Sequence, residues 1–230
     1  ATDFNEKRWP AQYGGHSASV TGPEERPSSG HMWDLAATKG LTYRSYGESA
    51  NRVSDGSNII ARATVPGLVG HVAEKYLRGG ERDTANMKVF LSEFDDYEKN
   101  YASKDPEKRL PNYIVMSLGE DHTRGTTPGA FTPIACVANN DWALGQLVER
   151  VTRSRYWPET AIFVIEDDAQ NGPDHVDARR TVGLVVSAYT KRKAVDSTMY
   201  TTSSMLRTMQ LLLGLPPMTQ YAAAAMPMYA

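Results

Sequence analysis

Acidic side chains and histidines gather at two places in the chain, each directly behind an apolar run. The first run, Asn112 to Leu118 (NYIVMSL), is followed by GEDHT with Glu120, Asp121 and His122. The second, Ala161 to Ile165 (AIFVI), is followed by EDDAQNGPDHVD with Glu166, Asp167, Asp168, Asp174, His175 and Asp177. Carboxylates crowded this closely raise one another's pKa, because each disfavours the charged form of the next. A bound divalent cation removes that conflict. Oxygen and imidazole donors suit zinc, manganese, iron or calcium better than copper(I). Such an ion polarises a phosphoryl oxygen and lowers the pKa of water or a hydroxyl. An acidic run with turn residues also suits a solvated loop, and GEDHT alone is a weak signal. Two such clusters, each behind an apolar strand and each with a histidine, favour a metal site.

The other histidines read as structural. His16 falls in an exposed loop, His31 caps or precedes a helix, and His71 sits in a loop after Pro66 and Gly67. Arg44 and Glu48 flank a strand end and take surface or supporting roles. Cys136 is the one cysteine and lies in the apolar run IACVA, which reads as a buried small hydrophobe. It excludes an internal disulfide and a cysteine-based zinc cluster. There is no phosphate-binding G-x-x-x-x-G-K loop, no G-x-S-x-G elbow and no H-E-x-x-H pair. The aromatic residues are spread out and form no stacking platform for single-stranded nucleic acid.

The elements that must position these clusters follow from periodicity. His31 to Lys39 reads as a short helix closed by Gly40, and Leu41 to Tyr46 as a strand. Residues 49 to 83 are polar and Gly-rich, with few period signals. Met87, Phe90, Leu91, Phe94 and Tyr97 fall at helical spacing. The runs at 112–118, 161–165 and 181–187 read as buried strands. Leu144, Leu147, Val148 and Val151 mark a helix over 141–152, and a further helix over 203–213 stops at Gly214 and Pro216. Strands alternating with helices predict an α/β fold with a mainly parallel sheet covered on both faces. In such sheets ligands collect beyond the carboxyl ends of the strands, and both clusters fall there. Residues 1–110 read as a loop-rich α/β portion and residues 111–230 as the core that carries the metal site.

The net charge of −2 gives no broad attraction to nucleic acid or anionic membrane. No run approaches the ~20 apolar residues that a membrane span needs. The opening ATDFNEKRWP has no signal-peptide pattern. The first thirty residues are rich in Gly, Pro and Ser, an unusual start for a domain and a hint that a segment precedes it.

The stretch AIFVIEDDAQNGPDHVDARRTVGLVVSAYTKR is similar to a bacterial phosphoesterase family with phospholipase C-like and acid-phosphatase-like members, within the alkaline-phosphatase superfamily. The closing LRTMQLLLGLPPMTQYAAAA, the earlier EDHTRGTTPG, HMWDLAATKGLTYRSYGE and the opening WPAQYGG resemble it too, so the likeness spans nearly the whole chain. The resemblance implies a large α/β/α sandwich and metal-dependent hydrolysis of phosphate esters by an exported, periplasmic or secreted enzyme. It implies Asp121, His122, Asp167 and Asp168 at the metal site, with His175 as a ligand or the partner that orients one.

The chain departs from that pattern. The upstream acidic E-N pair and the segment carrying the nucleophile are not found, so the resemblance implies a C-terminal portion completed by an N-terminal segment of the same precursor. The family's L-P-N-D-H-T is LGEDHT here. Its D-H-V-D-A-H-R is DHVDARR, which puts Arg179 where a histidine is expected. An arginine there could bind a phosphate oxygen or take the place of a lost metal. Two readings follow: a metal-dependent phosphoesterase, or a non-catalytic phosphoester-binding or structural domain with a degenerate site.

Overall fold

The structure is a computed structural model and describes residues 30–166 and 181–229. Asp167, Asp168, His175 and Arg179 lie outside the described residues, as does His16. Helix α1 (Met32–Thr38) begins at His31, whose backbone N–H donates to Asp34 Oδ2 at 2.8 Å. It ends before Gly40 at φ +68°, a left-handed position that favours glycine. Strand β1 (Tyr43–Tyr46) follows at once.

The polar stretch behind β1 holds an antiparallel hairpin that periodicity does not predict, β2 (Ala50–Ser54) and β3 (Ile59–Ala63). Its turn is chemically specified. Asp55 Oδ1 accepts from the backbone N–H groups of Ser57 and Asn58 at 2.8 and 2.7 Å, and Gly56 takes φ +98°. Those bonds to the charged form hold the Asp55 carboxyl below its ordinary range.

Helix α2 (Asp83–Lys99) carries the predicted apolar stripe and buries Met87, Phe90 and Phe94. It is the crossover that brings β4 (Tyr113–Met116) parallel to β1, in register Tyr43↔Tyr113 to Tyr46↔Met116. Alternate residues of this pair serve two cores. Tyr46, Ile114 and Met116 pack with Phe90, Phe94 and Tyr156 on one face. Tyr43, Tyr113 and Val115 pack with Trp33, Val65 and Leu68 on the other. The free edge of β1 is taken up by residues 71–73, through Ser45 N–H to His71 C=O and Ala73 N–H to Ser45 C=O, both at 2.9 Å.

Helix α3 (Pro133–Thr152) starts two turns earlier than its apolar spacing predicts. Thr132 caps it by accepting from Ala135 N–H, and Pro133 sits at the first helical position. The early turns show no apolar period facing the core, because Ile134, Val137 and Trp142 point outward, with Ile134 84% exposed. Strands β5 (Ala161–Ile165) and β6 (Gly183–Ser187) match their apolar runs. Helices α4 (Thr202–Leu212) and α5 (Gln220–Ala224) close the described chain.

Helices and small sheets are thus mixed. The sheet differs from the mainly parallel one predicted: among the described residues there are three two-stranded sheets, and only β1–β4 is parallel. β5 pairs with β6 antiparallel, from Ala161↔Ser187 to Ile165↔Gly183. An apolar run signals burial and not the direction of its neighbour, so spacing could not supply that. Nor are these two strands buried as predicted, since Ile165 and Leu184 are exposed. Among the described residues no helix is long and apolar enough to cross a membrane.

Candidate functional site

The first acidic cluster sits at the carboxyl end of the parallel pair. Ser117 N–H donates to Tyr46 C=O at 3.0 Å and carries the pairing one step past β4. The chain then turns through a single 3-10 turn, Glu120–His122. That turn is anchored from beneath by Asp83, which is 1% exposed. Asp83 Oδ1 accepts from Gly119 N–H at 3.0 Å, and Oδ2 accepts from Glu120 N–H at 2.9 Å and from Asn140 Nδ2 at 3.1 Å.

Glu120 returns the favour at the start of α2. Its Oε2 accepts from Asp83 N–H at 2.8 Å, one of the donors a helix N-terminus leaves without an intrahelical partner. A carboxylate there is also favoured by the helix dipole. Glu120 Oε1 lies 2.6 Å from Arg82 Nε, an attraction of charge and not an aligned hydrogen bond. Arg82 in turn donates from Nη2 to Ala135 C=O at 3.0 Å and lays its guanidinium 3.9 Å from the centre of the Phe131 ring. Thr84 and Asn139 add a further tie between α2 and α3, Thr84 N–H donating to Asn139 Oδ1 at 3.1 Å. The turn, α2 and α3 are therefore one hydrogen-bonded unit.

Asp121 and His122 project from that unit and are exposed. The turn ends at Thr123 with φ +49°, a position unfavourable for a β-branched residue. Such a conformation persists only where surrounding bonds hold it, and Thr123 Oγ1 accepts from Gly125 N–H at 3.2 Å. Asp121 and His122 are thus presented side by side at a strand end. The remaining residues of the predicted metal set, Asp167, Asp168 and His175, fall outside the described residues, and so does Arg179. Glu166, the last described residue of the second cluster, accepts from Thr181 Oγ1 through its backbone carbonyl at 2.9 Å. Among the described residues no group of three or more His, Cys, Asp or Glu side chains is placed to hold a metal.

Two of the histidines read as structural, His31 and His71, lie among the described residues, and each packs against an aromatic ring. His31 stacks on Trp33 with ring centres 4.5 Å apart, and His71 stacks on Tyr43 at 4.1 Å. Cys136 is buried. Arg44 donates two 2.7 Å bonds to Glu93, whose Oε2 also accepts from Tyr46 Oη at 2.8 Å, and so ties β1 to α2. Sequence reasoning missed Asp83 and Arg82. The signal available was an ERDT quartet just ahead of an apolar helical stripe, an N-terminal helix signature. Their partners 36 or more residues away could not be read from it.

Tyr76 closes the floor of this region. It is fully buried, donates to Ser117 C=O at 3.2 Å, and has its phenol pKa pushed up by burial and then by the charge of Asp83. No family model, curated protein or solved structure matches the chain.

Proposed function

We propose that the chain is part of a metal-dependent phosphoesterase of the alkaline-phosphatase superfamily, within an α/β/α sandwich, acting on phosphate esters outside the cytoplasm. The observation that supports this most is the reciprocal Asp83–Glu120 lock, which fixes a short turn at the end of a parallel strand and displays Asp121 and His122 from it. A carboxylate and an imidazole suit zinc, manganese or iron, and the carboxylate suits calcium. Asp121, His122, Asp167 and Asp168 would hold the ion, with His175 as a further ligand or its orienting partner. When bound, it would supply charge to a phosphoryl oxygen and a lowered pKa to a hydroxyl. The chain's own part is to hold donors in place before substrate arrives, which spares reorganisation at the moment of reaction.

Arg179 favours a second reading, a phosphoester-binding or structural domain whose site has degenerated. Elemental mass spectrometry of the dialysed chain separates the two. The phosphoesterase reading expects about one or more zinc, manganese, iron or calcium ions per chain, lost in an Asp121→Ala/His122→Ala double variant that keeps its circular dichroism spectrum. A wild-type chain that stays metal-free after incubation with each ion overturns it in favour of the degenerate domain.

A further inference from the structure

Arg78 is threaded across the carboxyl ends of the parallel pair. A Cβ placed on Gly47, just after β1, would meet Arg78 Cβ at 3.0 Å. One placed on Gly119, just before the Glu120–His122 turn, would meet Arg78 Cγ at 3.2 Å and Nε at 3.4 Å. The side chain therefore starts beside Gly47, where the Tyr76 ring is equally close at 3.0 Å, and its stem passes over Gly119 at the end of β4. Gly47, at φ +84°, is also favoured there by its backbone. Gly119 is not: its φ is −114°, which any residue adopts, so the room it leaves is what Arg78 uses.

This path delivers the guanidinium to the turn that bears Asp121 and His122. Other arginines of the region are spent on carboxylates, Arg44 on Glu93 and Arg82 on Glu120. Arg78 is exposed, and among the described residues no carboxylate pairs with it. A side chain whose stem is held while its charged head remains open loses little freedom on meeting an anion. The head is a planar fork that matches two oxygens of a tetrahedral anion. Ligands of α/β folds collect at this edge of the sheet.

We infer that Arg78 binds a non-bridging phosphoryl oxygen of the phosphate ester beside the Asp121–His122 turn. The inference deepens the phosphoesterase reading and rests on it for the identity of the ligand. Inorganic phosphate is the probe, titrated calorimetrically into the full chain with and without the metal found by elemental analysis, for wild type, Arg78→Ala, Arg78→Gln and Arg78→Lys. Loss of a charge-assisted bond predicts about 10- to 100-fold weaker phosphate binding in Arg78→Ala. Arg78→Gln keeps most of the stem and tests the charge apart from packing. It is expected to weaken binding as much, whereas Arg78→Lys recovers only part because an ammonium lacks the fork. Metal content is expected to stay at the wild-type level in all three. Phosphate affinity unchanged in Arg78→Ala and Arg78→Gln overturns the assignment, and so does a wild-type chain that takes up metal but not phosphate. A chain that takes up no metal yet binds phosphate through Arg78 overturns the phosphoesterase reading and keeps this one.

Discussion

The strand pairs β1–β4 and β5–β6 differ in composition and in environment: β1 (YRSY) is the least apolar of the four strands, whereas β5 (AIFVI) and β6 (GLVVS) are apolar almost throughout. β1–β4 is covered on both faces, and Tyr46 of β1 and the adjoining Tyr76, Leu68 and Phe94 are fully buried. β5–β6 touches the first core through Ile162 but leaves Ile165, Val182 and Leu184 exposed. The difference lies in what flanks each pair. Between β1 and β4 the chain supplies a hairpin and a seventeen-residue helix, so cover comes with the crossover itself. An apolar run by itself therefore does not guarantee burial: the more apolar pair is the less covered one. The better-packed pair is also the one that carries the locked Asp121–His122 turn, as expected if a rigid scaffold positions exposed chemistry.

The most severe way to break this comparison is to hollow the covered side. Phe94 is fully buried, with Phe90 at 5.6 Å and Tyr156 at 6.1 Å between ring centres and the Arg150 guanidinium 4.9 Å from its own. Phe94→Ala is expected to cost about 3–5 kcal/mol, the usual range for deleting a buried aromatic ring. Urea unfolding measures it. A loss below about 1 kcal/mol would mean that the β1–β4 side is no better packed than β5–β6.

Next in size is the lock. Asp83→Ala leaves the Gly119 and Glu120 N–H groups and the Asn140 amide without their acceptor. Buried polar groups left unpaired predict a loss of roughly 2–4 kcal/mol. Hydrogen exchange gives the sharper readout: the amides of Gly119 and Glu120 should exchange faster by a larger factor than those within β4. Uniform acceleration would show Asp83 to be a general stabiliser and not the anchor of the turn.

Much of this was legible in residues read locally. Helix α2 declared itself by its apolar period, Gly40 by its place after a helix, and the edges of β5 by its apolar run. The β2–β3 hairpin was not visible, because ANRVS and IIARA show little alternation and their information lies in the Asp55–Gly56 turn. The start of α3 was hidden because its first turns present Cys136, Asn139 and Asn140 inward and no apolar stripe. For the site, the Asp121–His122 pair could be picked from the sequence by position behind a strand. The Asp83 lock and the Arg78 path could not, since they depend on contacts between residues more than thirty positions apart. Such partners are set by tertiary packing, which no local spacing encodes.

Alkaline pH separates the two strand pairs without a cavity. Burial pushes up the phenol pKa values of Tyr46 and Tyr76, and that of Tyr113 to about 12. In the unfolded chain a tyrosine ionises near 10. Above that pH the unfolded state loses its proton first, so stability present below pH 10 is lost as pH rises toward the folded values. Each such tyrosine removes about 1.4 kcal/mol per pH unit in that window. All three belong to the β1–β4 region, while β5 and β6 contain no tyrosine. Tyr46→Phe, which gives up one bond to Glu93 at a cost of about 1 kcal/mol near neutrality, should flatten the decline between pH 10 and 11. An unchanged slope would remove Tyr46 from the alkaline transition.

The smallest effect is expected on the open pair. Leu184 in β6 is 46% exposed, so half of its side chain already meets water and little transfer energy is at stake. Its strand partner is Val164, and a β-branched polar replacement keeps the propensity of the position. Leu184→Thr should therefore shift stability by less than about 1 kcal/mol. It should also reduce self-association at high concentration, since exposed apolar strands are sites of edge pairing. Sedimentation velocity at several concentrations tests both the premise and the comparison. A loss of several kcal/mol would mean that the outer face of β6 is covered in solution. In that case the contrast between the two strand pairs would lie in which segment covers them and not in whether they are covered.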